Sequence, residues 1–316
     1  MNKNQLGKSG LVISRLGLGT VEIGIANYAM GQKGLISEDD ATRLLNEVVD
    51  LGITYIDTAR AYGVAEERIG KSGILKKPGV VVGTKTAQFL EKGEDPRGTE
   101  LEQRIRVDIE ESLRMLQVDS LQLVQLHGGS KEQIERGEII EVMQKLKDEG
   151  KIQHVGIATR GEEAPLAAID SGFFETIQAA YSILDQRMVP HVLPKAAAAG
   201  VNIINRSVLL KGVLTKHYSK LPTALTPLKE AAAQAEQIAL EIGTNLPSLA
   251  LRFVLSHEAI STALVGTMKT QHLKAAQDAV EAGPLPPEII AKLEALAISD
   301  PNLIDPSRWP KETQTV

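Results

Sequence analysis

The stretch RLGLGTVE, residues 15–22, is where the two common ways of wrapping helices around a parallel sheet part company. A doubly wound dinucleotide-binding fold needs Gly-x-Gly-x-x-Gly between its first strand and helix, the third glycine letting the two pack closely. Gly17 and Gly19 begin that pattern, but Glu22 holds the third position. RLGLGT (15–20) is therefore read as a plain apolar strand. The question becomes how many more strands like it the chain contains.

Seven follow: ITYID (53–57), VVVGTK (80–85), LQLVQLH (121–127), QHVGIAT (153–159), ETIQAAY (175–181), VNIINRS (201–207) and STALVGT (261–267). Runs this apolar suit a parallel sheet covered on both faces. Helical patterns lie between them. Ala41, Leu44, Leu45, Val48 and Val49 form one face, and Leu101, Ile105, Ile109, Leu113 and Leu116 another. Gly150 and Gly243 stand where glycines end helices. Eight β–α units in about 250 residues, with no linker between them, predict a closed (β/α)8 barrel, with 1–316 as one domain. QLGKSGLVIS (5–14) fits a hairpin over the barrel floor, and residues 284–316 an extra helix and tail.

Composition narrows the function. The chain has 316 residues, 43% apolar, with a net charge of −5, which offers no basic excess to a nucleic acid. With no cysteine, disulfides, thiolate nucleophiles and Cys-ligated zinc are excluded. The N-terminal residues lack the apolar core of a signal peptide, and no run of eighteen apolar residues occurs, so a cytoplasmic protein without membrane contact is expected. Gly70-Lys71-Ser72 resembles the end of a phosphate-binding loop, but Ala65 stands where its first glycine belongs.

Barrel enzymes carry their chemistry at the C-terminal ends of strands. Asp57 ends the second run, Tyr62 lies in the loop after it, Lys85 ends the third and His127 the fourth. Singly, each has a bland role: a helix cap, a turn, a solvated lysine, a structural histidine. Together they converge on one pocket. A tyrosine can give a proton to a developing alkoxide, but its reference pKa of about 10 makes it a reluctant acid. Bringing that to roughly 7 needs about 4 kcal/mol of phenolate stabilisation. An ammonium at ~4 Å supplies about that at an effective dielectric near 20. Lys85 fits this role, Asp57 keeps it charged, and His127 offers a second hydrogen bond to the same oxygen.

DTARAYG, AEERIGK, GTK, LQLVQLH and VGIAT, with KSGLVISRLGLGT, QAAYS (178–182) and RSVLLKGVLT (206–215), closely resemble the aldo-keto reductases over nearly the whole chain. The resemblance implies NAD(P)H-dependent reduction of an aldehyde or ketone, or the reverse. Tyr62 would be the proton donor, with Asp57, Lys85 and His127 supporting it. It assigns cofactor contacts to Gly19, Thr20, Asp57 and Gln178, the last to the carboxamide. Ala158-Thr159 replaces the family's Ser-Asn pair, and Arg206-Ser207-Val208-Leu209 its Tyr-Ser-Pro-Leu, so a guanidinium would stack where a ring usually does. Lys211 and Gly212 fit the pyrophosphate loop. Gly266, Thr267, Lys269 and His272 fit the adenosine end, leaning slightly to NADP over NAD, while Ala275 and Ala276 replace the usual adenine ligands.

Tyr28, Met30 and Trp309 are candidate substrate contacts, with loop anchoring and tail packing as their structural alternatives. The partner is a small carbonyl or alcohol; neither its identity nor the oligomeric state is legible in the chain. A cofactor-binding regulatory subunit with little turnover is the alternative function. A metal-dependent hydrolase would want a His-x-His pair, which none of the six histidines forms. A Schiff-base aldolase would leave Asp57 and Tyr62 without clear roles.

Overall fold

The computed structural model describes residues 3–28 and 32–309. Two short strands, β1 (Lys3–Gln5) and β2 (Val12–Ser14), pair antiparallel. Eight parallel strands then close a barrel: β3 (Leu16–Gly19), β4 (Tyr55–Asp57), β5 (Val81–Thr86), β6 (Leu121–His127), β7 (Ile152–Ala158), β8 (Thr176–Ala180), β9 (Asn202–Arg206) and β10 (Ile260–Gly266). They neighbour one another in sequence order, and β10 returns to pair with β3, Gly266 opposite Gly19. The barrel is the predicted one.

Helices cover its outer face because their apolar stripes have nowhere else to go. Helix Glu38–Asp50 buries Ala41, Leu44, Leu45 and Val48. Ser37 caps its first turn by accepting from the Asp40 amide at 3.0 Å, and Glu38, Asp39 and Asp40 favour the positive end of its dipole. Helix Gly98–Leu116 buries Leu101, Ile105, Ile109 and Leu116. After helix Glu138–Asp148, Gly150 adopts φ +76°, so Lys151 can bond back to the Leu146 carbonyl and end the helix.

A separate cluster fills the floor. Leu6 and Ile13 of the hairpin pack with Tyr55, Val81, Leu123, Ile204 and Leu264 from the barrel interior. Tyr55 fits because β5 carries Gly83 beside it, where a Cβ would lie 2.4 Å from the tyrosine oxygen. The floor is closed, so chemistry is confined to the opposite mouth. At the C-terminal end, helix Pro287–Glu294 and the short turn Pro301–Ile304 pack against the barrel wall. Among the described residues, no single helix is long and apolar enough to cross a membrane.

Candidate active site

Side chains alternate along a strand, so residues two apart face the same way. From Tyr55 inside the barrel, that rule carries Asp57 to the mouth, and it does the same for Lys85 from Gly83 and His127 from Gln125. Parallel register sets Asp57 opposite Gly83 and Lys85 opposite Gln125. Lys85 Nζ donates to Asp57 Oδ2 at 2.6 Å and to the Thr58 carbonyl at 2.9 Å. The two side chains are only 1% and 3% exposed, so each charge depends on the other. Gln178 and Gln125 donate to the second oxygen of Asp57, at 2.7 and 3.3 Å. The carboxylate is held from three sides.

Tyr62 is placed by its loop. The Thr58 and Arg60 amides donate to the Gly83 and Lys85 carbonyls, extending the sheet's pairing past the end of β4. At Gly63 the chain turns with φ +56°, and a Cβ there would sit 2.3 Å from the Gly24 carbonyl. Gly24 in turn leaves room for the Tyr62 carbonyl, which a Cβ would meet at 1.9 Å. Behind the loop, buried Glu66 accepts from Arg60 and, at 2.6 Å, from Thr84. The Tyr62 ring then lies 4.9 Å from Lys85 Nζ and meets His127 edge-on, centroids 5.8 Å apart at 84°. All four expected groups form one cluster in mutual contact.

Their ionisation follows from burial. Desolvation would strip the Lys85 proton, but Asp57 and the Tyr62 oxygen outweigh it and hold the ammonium above its usual range. His127 is pushed down to about 3 by burial, then by Lys85, Arg206 and Arg160, and is therefore neutral. Tyr62 goes the other way from the sequence expectation. Burial raises its pKa above the ordinary phenol value, Lys85 opposing it without prevailing. The site holds a phenol, not a phenolate.

The residues assigned to the cofactor lie around the mouth. At Gly19 a Cβ would approach Gly266 no closer than 3.8 Å, so open backbone lines this edge. Thr20 is buried, its hydroxyl donating to the Asp57 carbonyl at 2.9 Å. The buried Thr159 hydroxyl, one residue beyond Ala158 at the end of β7, has no hydrogen-bond partner among the described residues. The Gln178 amide spends one N–H on Asp57 and keeps a second N–H and its carbonyl oxygen. Arg206 is tethered at its edge, to the Thr159 carbonyl at 3.0 Å and Ser207 Oγ at 3.3 Å, which leaves the guanidinium plane available.

The following loop is strained. Ser207, Leu210 and Lys211 have φ of +65°, +42° and +52°, with Gly212 beside them and Leu209 packed against the core. Among the described residues, Lys211, Lys216 and Lys269 form no salt bridge. His272 joins this basic edge through a 3.0 Å contact between Nδ1 and Thr267 Oγ1. Burial, then Lys269 and Lys216, lower its pKa.

Of the three substrate candidates, one lies at the mouth. Tyr28 is 48% exposed and within electrostatic reach of Arg206, Glu22, Arg160 and Lys85. Met30 lies outside the described residues. Trp309 requires correction: it is 4% exposed, and its indole N–H donates to the Leu303 carbonyl at 2.7 Å, so it anchors the tail rather than rimming the pocket. The residues that do line the adjoining cavity include Arg160, Asp185, Arg187, Arg206 and Asp305. Sequence reasoning missed Arg160, Glu91, which accepts from Arg160 Nε at 2.8 Å, and Gln125. Only Gln125 carried a signal, two residues before His127 on the same strand face.

The model of the Aldo/keto reductase family matches residues 15–298. L-galactose dehydrogenase from Arabidopsis thaliana is 30% identical over 96% of this chain and 96% of its own. D-threo-aldose 1-dehydrogenase from a Pseudomonas species is 26% identical over 84% of this chain and 88% of its own. The solved structure of aldo-keto reductase AKR11C1 from Bacillus halodurans, in its holo form, superposes with a TM-score of 0.79 at 29% identity. It covers 98% of this chain and all of that one.

Proposed function

The chain belongs to the aldo/keto reductase family, and from that premise we propose that it exchanges a hydride between NAD(P)H and a hydroxylated aldehyde or ketone, with Tyr62 as the proton donor. What supports this most directly is the buried Lys85–Asp57 pair beneath a tyrosine whose phenol burial keeps protonated. When bound, the reduced nicotinamide supplies the hydride. Every other task falls to the protein. Tyr62 gives its hydroxyl proton to the oxygen as charge develops there, and Lys85 stabilises the phenolate left behind. Neutral His127 donates a hydrogen bond to the same oxygen.

Thr159, the Gln178 amide and the Arg206 plane would hold the nicotinamide. Gly19, Gly266, Lys211, Gly212 and Thr267 would border the phosphates, and Lys269 with His272 would meet a 2′-phosphate, favouring NADP. The hydroxylated substrate class is supported by the sugar names of two relatives. Following NADPH and NADH absorbance across aldoses, simple aldehydes and ketones tests the proposal. No turnover with any of them, despite cofactor binding, would favour a regulatory role instead.

A further inference from the structure

His127 is neutral, so its ring carries one N–H, on either Nδ1 or Nε2. Only the nitrogen that bears it can donate. Nδ1 is buried and has no hydrogen-bond partner among the described residues. Nε2 faces the carboxylate of Glu91, 3.6 Å from Oε2. That separation is too long for a hydrogen bond. It is short enough for a charge to decide which edge of the ring it faces: a carboxylate attracts an N–H and repels a lone pair. We propose that Glu91 is a positioning residue that selects the Nε2–H tautomer of His127.

The fold fixes Glu91 firmly enough for this. It ends the short helix Gln88–Glu91 after β5, where Asp108 accepts from the Ala87 amide at 2.8 Å and from the Thr86 hydroxyl at 3.1 Å. Its backbone lies against Gly128, the residue after His127. A Cβ there would come within 2.7 Å of Glu91 N, Cα and Cβ, and φ is +109°. Only glycine allows that contact. The other carboxylate oxygen is taken by Arg160 Nε at 2.8 Å. Arg160 is anchored in turn on Asp305 Oδ1 at 2.9 Å and Ser307 Oγ at 3.4 Å. So Oε1 is occupied by a cation, and Oε2 is left facing the imidazole.

The other charges acting on the ring, Lys85, Arg206, Arg160 and Lys92, are all positive and favour a lone pair turned toward them. Glu91 supplies the opposing charge. The tautomer stands on its own geometry; its catalytic consequence rests on His127 donating to the carbonyl oxygen.

The test is 15N NMR of the His127 ring, whose two nitrogens differ in shift between tautomers, together with reduction kinetics. Wild type should show Nε2–H in excess. Glu91→Gln keeps the volume and the acceptor for Arg160 but turns an amide donor toward Nε2. The ring should then switch to Nδ1–H, with kcat falling ~10–100-fold and KM changing far less. Glu91→Asp should restore Nε2–H and part of the rate. Nδ1–H in wild type would overturn the inference without any variant, as would unchanged shifts in Glu91→Gln. A fully active His127→Phe, which has no donor, would instead remove the donor role and leave the tautomer result standing.

Discussion

Glu22 Oε1 stands 2.9 Å from where a Cβ on Gly266 would be, at the edge where the first and last barrel strands meet. Burial raises this carboxyl to about 7. A folded-state pKa above the unfolded one means that the native protein binds an extra proton between about pH 4.5 and 7. The associated stability is fully present at acid pH and is lost as pH rises through 7. Glu22→Gln should therefore stabilise the protein at pH 8 by about 1–3 kcal/mol and flatten the slope between pH 5 and 8. Urea denaturation at the two pH values checks this, and parallel slopes in both proteins would refute it.

Tyr62→Phe keeps the ring and removes the proton. Reduction should slow at least ~100-fold with cofactor affinity little changed. Because burial holds the phenol above its ordinary pKa, reduction should keep its acid across pH 6–9. Alcohol oxidation needs the phenolate and should climb steadily over the same range. A reduction rate falling with a midpoint near 7 would mean that Lys85 had won after all.

His272 offers a second pH signature. Its pKa is lowered by burial and by Lys269 and Lys216, and a bound phosphate would draw the proton back. If the ring meets a 2′-phosphate, NADPH affinity should tighten as pH falls from 8 to 6, by up to about tenfold, while NADH affinity stays level. Fluorescence titration of both cofactors measures the difference. Identical pH profiles would move the ring away from the phosphate.

Arg206 tests the stacking face. A cation beside the nicotinamide disfavours the oxidised, positively charged ring. Arg206→Tyr should retain activity but shift relative affinity toward the oxidised cofactor, and Arg206→Ala should weaken both forms. An unchanged ratio in Arg206→Tyr would show that the guanidinium serves the substrate cavity instead.

How much of this was legible depended on how the residues are held. Asp57, Lys85 and His127 sit on strands, where a period of two and a known mouth specify direction. The barrel followed from counting such strands, and Gln125 was recoverable by the same rule. Glu91, Arg160 and Asp305 are different: a short helix and two loops far apart in sequence meet only because the barrel is round. No local pattern encodes that meeting. The Tyr62 pKa was misjudged for a related reason, since its sign turns on burial, which no motif states. Trp309 looked like a rim residue because a lone aromatic in a tail invites that reading, and packing decided otherwise.

The closure of β10 on β3 sets an order of events in the making of the protein. The strand of Leu16 and Leu18 is made before the other seven barrel strands, yet one of its edges waits for Ile260–Gly266, the last of them. Through most of synthesis that edge is an open template and the nascent sheet is curved but unsealed. Chains halted before residue 260 should accordingly aggregate or remain bound to chaperones.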